Sequence, residues 1–236
     1  KNPALMADAF SVYLRQGNAA AAQKIAEESE KASDGAVTAM LFHARLSGNS
    51  ALYELVRKQA DKRNIRGNTA DLERLYQCIQ SDDAKGAAAI IEGFEKNPED
   101  SLLAEANRMY GRFLYEKNLY SDAVSCYEKI LKTHPEDSVA RFRIVEIYAK
   151  LSQKKAAESH LAVLAAHTGG DETYRFALFA AYEQCGYPEK AAGILEKLAL
   201  EFPERETYRK NLFRIFVSLN MAGKAAEQAA HITDYT

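Results

Sequence analysis

The chain has 236 residues, of which 47% are hydrophobic and 27% are charged, and this ordinary globular composition excludes collagen-like, low-complexity and largely disordered proteins. Its 31 basic and 33 acidic residues give a net charge of −2, which does not favour nucleic acid as a partner. No apolar run approaches the roughly 18 residues that a membrane-spanning helix needs, so we expect no direct membrane span.

Amphipathic helices are predicted along the whole chain, because apolar residues recur at three- and four-residue spacing and no stretch alternates like a strand. Turn signals such as Gly17-Asn18 and Gly48-Asn49 separate the helices, and all five prolines fall at predicted helix boundaries. The predicted helices span about 4–16, 19–32, 36–47, 50–63, 68–80, 84–96, 101–117, 120–133, 138–151, 154–167, 172–185, 188–201, 205–219 and 223–233. Paired in order, they form about seven antiparallel hairpins.

A 34-residue repeat runs through the second part of the chain. The residues Glu-Thr-Tyr-Arg occur at 172–175 and again at 206–209. A column of small residues keeps the same spacing, at Ala123, Ala157, Ala191 and Ala225. A methyl group is about all that fits where two helices cross closely, so this column indicates a close crossing in each hairpin. We predict a single array over 1–236, with degenerate hairpins in 1–103 and four regular repeats in 104–236.

These units resemble tetratricopeptide repeats, whose signature places Gly, an aromatic residue, Ala and Pro at fixed positions of a 34-residue unit. The matching residues are Gly111, Ala123, Tyr127 and Pro135 in one unit, and Leu178, Tyr182, Gly186, Ala191 and Pro203 in another. The resemblance implies an all-α solenoid, a right-handed superhelix in which the first helix of each pair lines a concave groove. It also implies binding of a protein or peptide, with no catalytic activity and no cofactor.

The first helices carry a candidate partner-binding track on the face away from their packing stripe. A solvated face should be polar, yet Phe142 and Phe176 occupy equivalent places on it. With arginines alongside, the pattern suits a peptide with apolar anchors and some acidic residues. The alternative is that these phenylalanines pack against adjacent repeats. The candidate groove residues are Arg108, Arg112, Tyr115, Phe142, Glu146, Phe176, Glu183, Lys210 and Arg214.

One column of the repeat departs from the family, because its early large residue, often Trp, is Asn107, Arg141, Arg175 or Arg209 here. We interpret the arginines as a structural ladder whose stems pack between helices while their guanidinium groups reach a neighbouring repeat, with ligand binding as the alternative. His160 and His167 could share a helix face, but no third ligand stands at metal-binding spacing, so we predict no metal site.

The sequence therefore favours a non-enzymatic protein- or peptide-binding scaffold, a module of a larger bacterial protein or assembly. The alternative function is binding of single-stranded RNA in the manner of other helical-hairpin repeats, against which the neutral charge and the groove phenylalanines speak. The three cysteines lie on different predicted helices, so we interpret them as buried small hydrophobes and expect free thiols and a cytoplasmic location. The amino end lacks Met and a signal pattern, which we interpret as the start of a fragment, and a periplasmic location stays open.

Overall fold

A computed structural model describes residues 5–65, 68–96, 102–167 and 170–232. Every regular element in these residues is a helix, which confirms the prediction of an all-α fold. The α-helices are α1 Met6–Arg15, α2 Ala19–Glu27, α3 Asp34–Leu46, α4 Ser50–Lys62, α5 Asn68–Gln80, α6 Ala84–Glu95, α7 Leu103–Glu116, α8 Tyr120–Thr133, α9 Ser138–Lys150, α10 Lys154–Ala166, α11 Glu172–Gln184, α12 Pro188–Glu201, α13 Glu206–Ser218 and α14 Ala222–Ala229. None of them is both long and apolar enough to cross a membrane.

The predicted helix boundaries agree with the structure to within a few residues, except around α2. That helix ends at Glu27 and continues as a 3₁₀ turn, Glu28–Lys31, where we predicted one helix to residue 32. The next helix begins earlier than predicted, because the Ser33 side chain accepts a hydrogen bond from the backbone N–H of Ala36 at 3.2 Å and so caps it. The last helix ends at Ala229. The predicted helix ends at residues 4, 101 and 233 lie outside the described residues.

The turn inside each regular hairpin passes through one residue with a positive φ. These residues are Asn118 (61°), Ser152 (56°), Gly186 (73°) and Asn220 (57°), each 34 residues after the last. At Ser152 the chain makes the two hydrogen bonds of a Schellman motif, from Ser152 N to Ala149 O at 3.0 Å and from Gln153 N to Tyr148 O at 2.8 Å. The 34-residue repeat is therefore present in the backbone conformation of the turns as well as in the side chains.

Contacts between residues divide the chain into two compact units, Lys1–Phe113 and Leu114–Thr236. In the first unit α1 pairs with α2, α3 with α4 and α5 with α6, while α3 also packs on α1 and α5 on α3. Its core holds fully buried side chains such as Phe10, Met40, Val56 and Leu75. The single array that we predicted over 1–236 stays a prediction.

The second unit is built in the same way, with α9, α11 and α13 as the first helices of its last three hairpins. α9 packs on α8, α10 and α11, while α12 lies between α11 and α13, and α13 pairs with α14. The alanine column is buried throughout, and Ala123, Ala157 and Ala191 have no exposed surface at all. Larger side chains fill the space around the column, among them Leu161, Leu195 and Phe216.

Candidate binding surface

Seven of the nine predicted groove residues belong to the second unit, and none of them is fully buried. We call these seven the first-helix track: Tyr115, Phe142, Glu146, Phe176, Glu183, Lys210 and Arg214. The other two, Arg108 and Arg112, lie on the part of α7 that belongs to the first unit. Arg108 approaches Glu105 of its own helix at 3.5 Å, and Arg112 is exposed. The first-helix track therefore lies within the second unit.

The two phenylalanines of the track are half-buried and make equivalent contacts with the following repeat. The ring of Phe142 lies 5.4 Å from that of Tyr174, edge to face, and the ring of Phe176 lies 5.6 Å from that of Tyr208. Both phenylalanines pack against the hydrophobic core of the second unit. Each aromatic pair therefore joins one first helix to the next, and only part of each phenylalanine ring is left for a partner.

A polar network occupies the beginning of the track. The Tyr115 hydroxyl donates a hydrogen bond to Glu146 Oε1 at 2.7 Å, and Arg143 Nη1 donates to Glu146 Oε2 at 2.7 Å. The Lys150 ammonium lies 5.3 Å from the centre of the Tyr115 ring. Burial, followed by the hydrogen bond to Glu146, raises the pKa of Tyr115. Tyr115 is therefore a neutral hydrogen-bond donor that holds the Glu146 carboxylate in place.

A second polar pair occupies the end of the track at the equivalent place. Arg214 Nη2 lies 2.6 Å from Glu183 Oε1, and these residues are 31 apart in sequence, as are Tyr115 and Glu146. Lys210, one helical turn before Arg214, approaches Glu206 at 3.6 Å. Between the two polar pairs the same spacing is held by Ala149 and Ala180, both half-buried against the core. The track thus has small apolar residues in the middle and charged pairs at both ends.

Sequence reasoning missed three residues that shape the track, namely Arg143, Tyr174 and Tyr208. A signal for the tyrosines was present, because they lie 34 residues apart, as do the phenylalanines that they touch. No such signal exists for Arg143, whose counterpart one repeat later is Ala177. Only the structure shows that Arg143 pairs with Glu146.

The arginine column forms structural contacts, but only one of them reaches a neighbouring repeat as we predicted. Arg141 Nη2 donates to the carbonyl of Pro135, which ends the preceding repeat, at 2.6 Å. Arg175 instead forms two hydrogen bonds, of 2.7 and 2.8 Å, with Glu201 in the second helix of its own hairpin. Arg209 likewise reaches Gln228 of its own hairpin, at 3.5 Å. Two of the three arginines therefore connect the two helices of their own hairpin, and one connects successive repeats.

Histidine and cysteine side chains do not assemble into a reactive site in the described part of the chain. No three potential metal ligands lie together there. His160 is half-buried beside Tyr148, with 6.0 Å between ring centres, and burial lowers the pKa of its imidazole. None of the three cysteines forms a disulfide; Cys126 and Cys185 are buried as predicted, while Cys78 is partly exposed.

Comparison with known proteins finds similarity among solved structures only. No family model matches the chain, and no curated protein matches it significantly. It is similar to the MamA RS-1 ArsTM double mutant, with 21% identity over 68% of this chain and 92% of that one and a TM-score of 0.49. It is also similar to YrrB, described as a TPR protein with an unusual peptide-binding site, with 18% identity over 74% of this chain and 89% of that one and a TM-score of 0.52.

A tetratricopeptide repeat protein from Parabacteroides merdae ATCC 43184 covers the most sequence of these three. It matches 96% of this chain and 75% of its own at 12% identity, with a TM-score of 0.53. Identities this low show the fold and nothing finer. The similarity to the last two structures, together with the 34-residue repeat, the helical hairpins and the buried alanine column, establishes that this chain has the tetratricopeptide-repeat fold.

Proposed function

We propose that the chain is a non-enzymatic scaffold, and that it binds a segment of another protein on the first-helix track. The observation that carries the proposal is the pair Phe142 and Phe176, two half-exposed aromatic side chains at equivalent places on a face that carries charged residues at both ends. Aromatic residues, phenylalanine among them, are enriched in the cores of protein interfaces. A peptide bound along the track would cover the exposed part of both rings.

The middle of the track favours an apolar anchor from the partner. Ala149 and Ala180 hold the place that the neighbouring repeats fill with Tyr115–Glu146 and Glu183–Arg214 pairs. Two methyl groups leave more room than these long side chains and offer no hydrogen bond, so an aliphatic or aromatic side chain suits this place. Phe176 lies one helical turn before Ala180 on the same helix and adds apolar surface.

The end of the track on α13 favours acidic residues in the partner. The Arg214 side chain is 60% exposed, and its described contacts with Glu183 and Asn211 both use Nη2. A guanidinium group has five donors in a fork that matches a carboxylate, so it can hold Glu183 and a partner carboxylate together. Lys210 adds a second exposed cation on the same helix. YrrB, whose fold is similar, is itself described as binding a peptide.

The proposal is tested by selecting peptides and locating their binding energy. Peptides of 12 residues selected from a random library are measured by fluorescence anisotropy against the wild-type chain, Phe142→Ala, Phe176→Ala and Arg214→Ala. We expect Phe176→Ala to weaken binding at least about tenfold, because truncation of an aromatic anchor typically costs 2 kcal/mol or more. We expect Arg214→Ala mainly to slow association and to reduce its salt dependence.

Val163→Ala is the matched control, because Val163 is an apolar residue, 50% exposed, on the second helix α10. Its affinity should stay within about twofold of wild type. If Phe176→Ala and Phe142→Ala bind the selected peptides as tightly as wild type per folded molecule, the track is not the binding surface.

A further inference from the structure

A cleft lies between α4 and α5 in the first unit. α5 packs on α3, and a space of about 180 Å³ remains between α5 and α4. Part of its lining is apolar and part is polar. The apolar side is lined by Leu41, Ala60, Ile65 and Ala70, and the polar side by Glu73 and Gln77, among others.

Glu73 is the unusual member of this lining, because its carboxylate is buried and only half-satisfied. The residue is 1% exposed, and its Oε1 accepts a hydrogen bond from Arg45 Nε at 3.1 Å. Its Oε2 is buried and has no hydrogen-bond partner among the described residues. Burial raises the pKa of Glu73 despite the opposing effects of Arg45 and of the Tyr53 hydroxyl. An acceptor left without a donor in the interior is costly, so native structures rarely keep one without a reason.

Two cations line the cleft, Arg57 and Arg74, and both are paired with carboxylates. A third cation, Arg45, is paired with Glu73. The pairs are Arg45–Glu73, Arg57–Glu54, Arg57–Asp61 and Arg74–Asp71. Because every one of these cations is already matched, an incoming anion meets no unused charge. The acceptor that stays unused is Glu73 Oε2, which suits an incoming cation.

We propose that this cleft binds a basic side chain, a lysine or an arginine, presented by a partner protein. Such a side chain has an aliphatic stem and a charged head, and it commonly buries the stem while the head finds polar partners. The stem would lie against Leu41, Ile65 and Ala70, and the head would donate to Glu73 Oε2 after the carboxyl group turns about its last side-chain bond. This inference does not depend on the first-helix track.

The test uses small probes and the wild-type chain labelled with ¹⁵N. Nα-acetyl-lysine amide and Nα-acetyl-arginine amide should give saturable shifts at the Gln77 side-chain amide and at the Ala70 backbone amide. Nα-acetyl-norleucine amide, which has the stem without the charge, and Nα-acetyl-glutamate amide should give none at the same concentrations. Equal shifts with norleucine, or no shifts with either basic probe, would overturn the proposal.

A free diamine separates two sources of the same chemistry. If 1,5-diaminopentane shifts these resonances while the capped lysine does not, the site serves a small polyamine, and the assignment to a partner's side chain is wrong. Comparable or weaker shifts with the diamine agree with the proposal, because the capped amino acids carry the backbone that a partner would present.

Glu73→Gln locates the interaction, because it keeps the shape of the side chain and removes the charge. We expect it to weaken binding of the lysine probe at least tenfold. Glu92→Gln is the matched control, since Glu92 pairs with Lys96 on the exposed side of α6 and changes the net charge equally. A folded Glu73→Gln chain that binds the probe as wild type does would refute the role of Glu73. If Glu73→Gln does not fold, the comparison of probes on the wild-type chain decides alone.

Discussion

Ser152 holds a backbone conformation that costs a serine more than the residues at its equivalent positions. Its φ of 56° lies in the left-handed region, where the other three repeats place Asn118, Gly186 and Asn220. Glycine adopts this region without a steric penalty and asparagine tolerates it, whereas for other residues this conformation costs roughly 1–2 kcal/mol. Sequence reasoning found only the glycine, because a serine carries no local signal of a positive φ. The spacing of 34 residues was the available signal.

Ser152→Gly is therefore expected to stabilise the protein by about 0.5–1 kcal/mol, the relief of strain exceeding the entropy that glycine adds to the unfolded chain. The measurement is urea unfolding followed by circular dichroism at 222 nm. Ser159→Gly serves as control, because Ser159 is exposed inside α10 and glycine there should destabilise by a few tenths of a kcal/mol. A Ser152→Gly variant less stable than wild type would show that this turn is not strained.

The Arg175–Glu201 pair predicts a pH dependence that can be followed at one carboxyl group. The hydrogen bond from Arg175 and its charge hold the pKa of Glu201 below the ordinary value of 4.5. A carboxyl whose pKa is lower in the folded state adds stability above its unfolded pKa and loses that contribution as the pH falls through the folded pKa. The advantage of wild type over Arg175→Gln should therefore be full above about pH 5 and shrink below pH 4.5.

A ¹³C titration of the Glu201 carboxyl measures the cause directly. Its midpoint should lie below that of ordinary glutamates in the wild-type chain and move up toward them in Arg175→Gln. Lys210→Gln, which leaves this pair intact, should not move it. An unchanged midpoint in Arg175→Gln would mean that the pair is not formed in solution.

At the scale of elements, the track phenylalanines contribute to packing as well as to a surface. Phe176 contacts Phe179 on its own helix and Tyr208 on α13, so it couples α11 to α13. Truncation should therefore remove part of the 3–5 kcal/mol typical of a fully buried phenylalanine. We expect Phe176→Ala to lower the free energy of unfolding by about 1–3 kcal/mol and Phe176→Leu to recover most of it. Urea unfolding measures both changes. A loss below about 0.5 kcal/mol would show that the ring is free of the core.

Ala157→Leu tests the close crossing of α9 and α10 in the same experiment. Ala157 has no exposed surface, so the larger side chain has to push the helices apart or distort its neighbours. Overpacking of this kind typically costs 1–3 kcal/mol. Ala162→Leu, on the exposed side of the same helix, should change stability by less than about 0.5 kcal/mol. Equal effects of the two substitutions would contradict the close crossing.

Most helix boundaries were predictable because caps, prolines and apolar spacing act locally. Asp137 and Asp171 illustrate this: each side chain accepts a hydrogen bond from the backbone N–H three residues later, at 2.8 Å, where a helix was predicted to begin. The partners of the groove residues were not predictable, because they depend on how successive hairpins are offset. The 31-residue offset that brings Tyr115 to Glu146 follows from packing and has no sequence motif of its own.

At the scale of the whole molecule, the balance of charges favours the proposed binding of a protein over the binding of RNA. Proteins that bind nucleic acid without sequence preference rely on unmatched cations, with dissociation constants of roughly 10⁻⁴–10⁻⁶ M at physiological salt. This chain has 31 basic and 33 acidic residues, and several arginines, including the exposed Arg143 and Arg214 and the half-buried Arg175, are already paired with carboxylates. The phosphate groups of a bound RNA would have to displace the carboxylate from each of these arginines.

We therefore expect no measurable binding of a 20-nucleotide oligouridine at 150 mM salt, and binding weaker than about 10⁻⁴ M at 50 mM. Filter binding measures both values, and a basic single-strand-binding protein run in parallel shows that the assay detects a complex. Reversal of the Glu183 charge, Glu183→Lys, provides the internal comparison, because it frees Arg214 and adds a cation beside it. Retention of RNA by this variant but not by wild type would show that the carboxylates of the track suppress phosphate binding. Salt-sensitive binding of RNA by the wild-type chain itself, tighter than its binding of any selected peptide, would replace the protein-binding proposal with the RNA one.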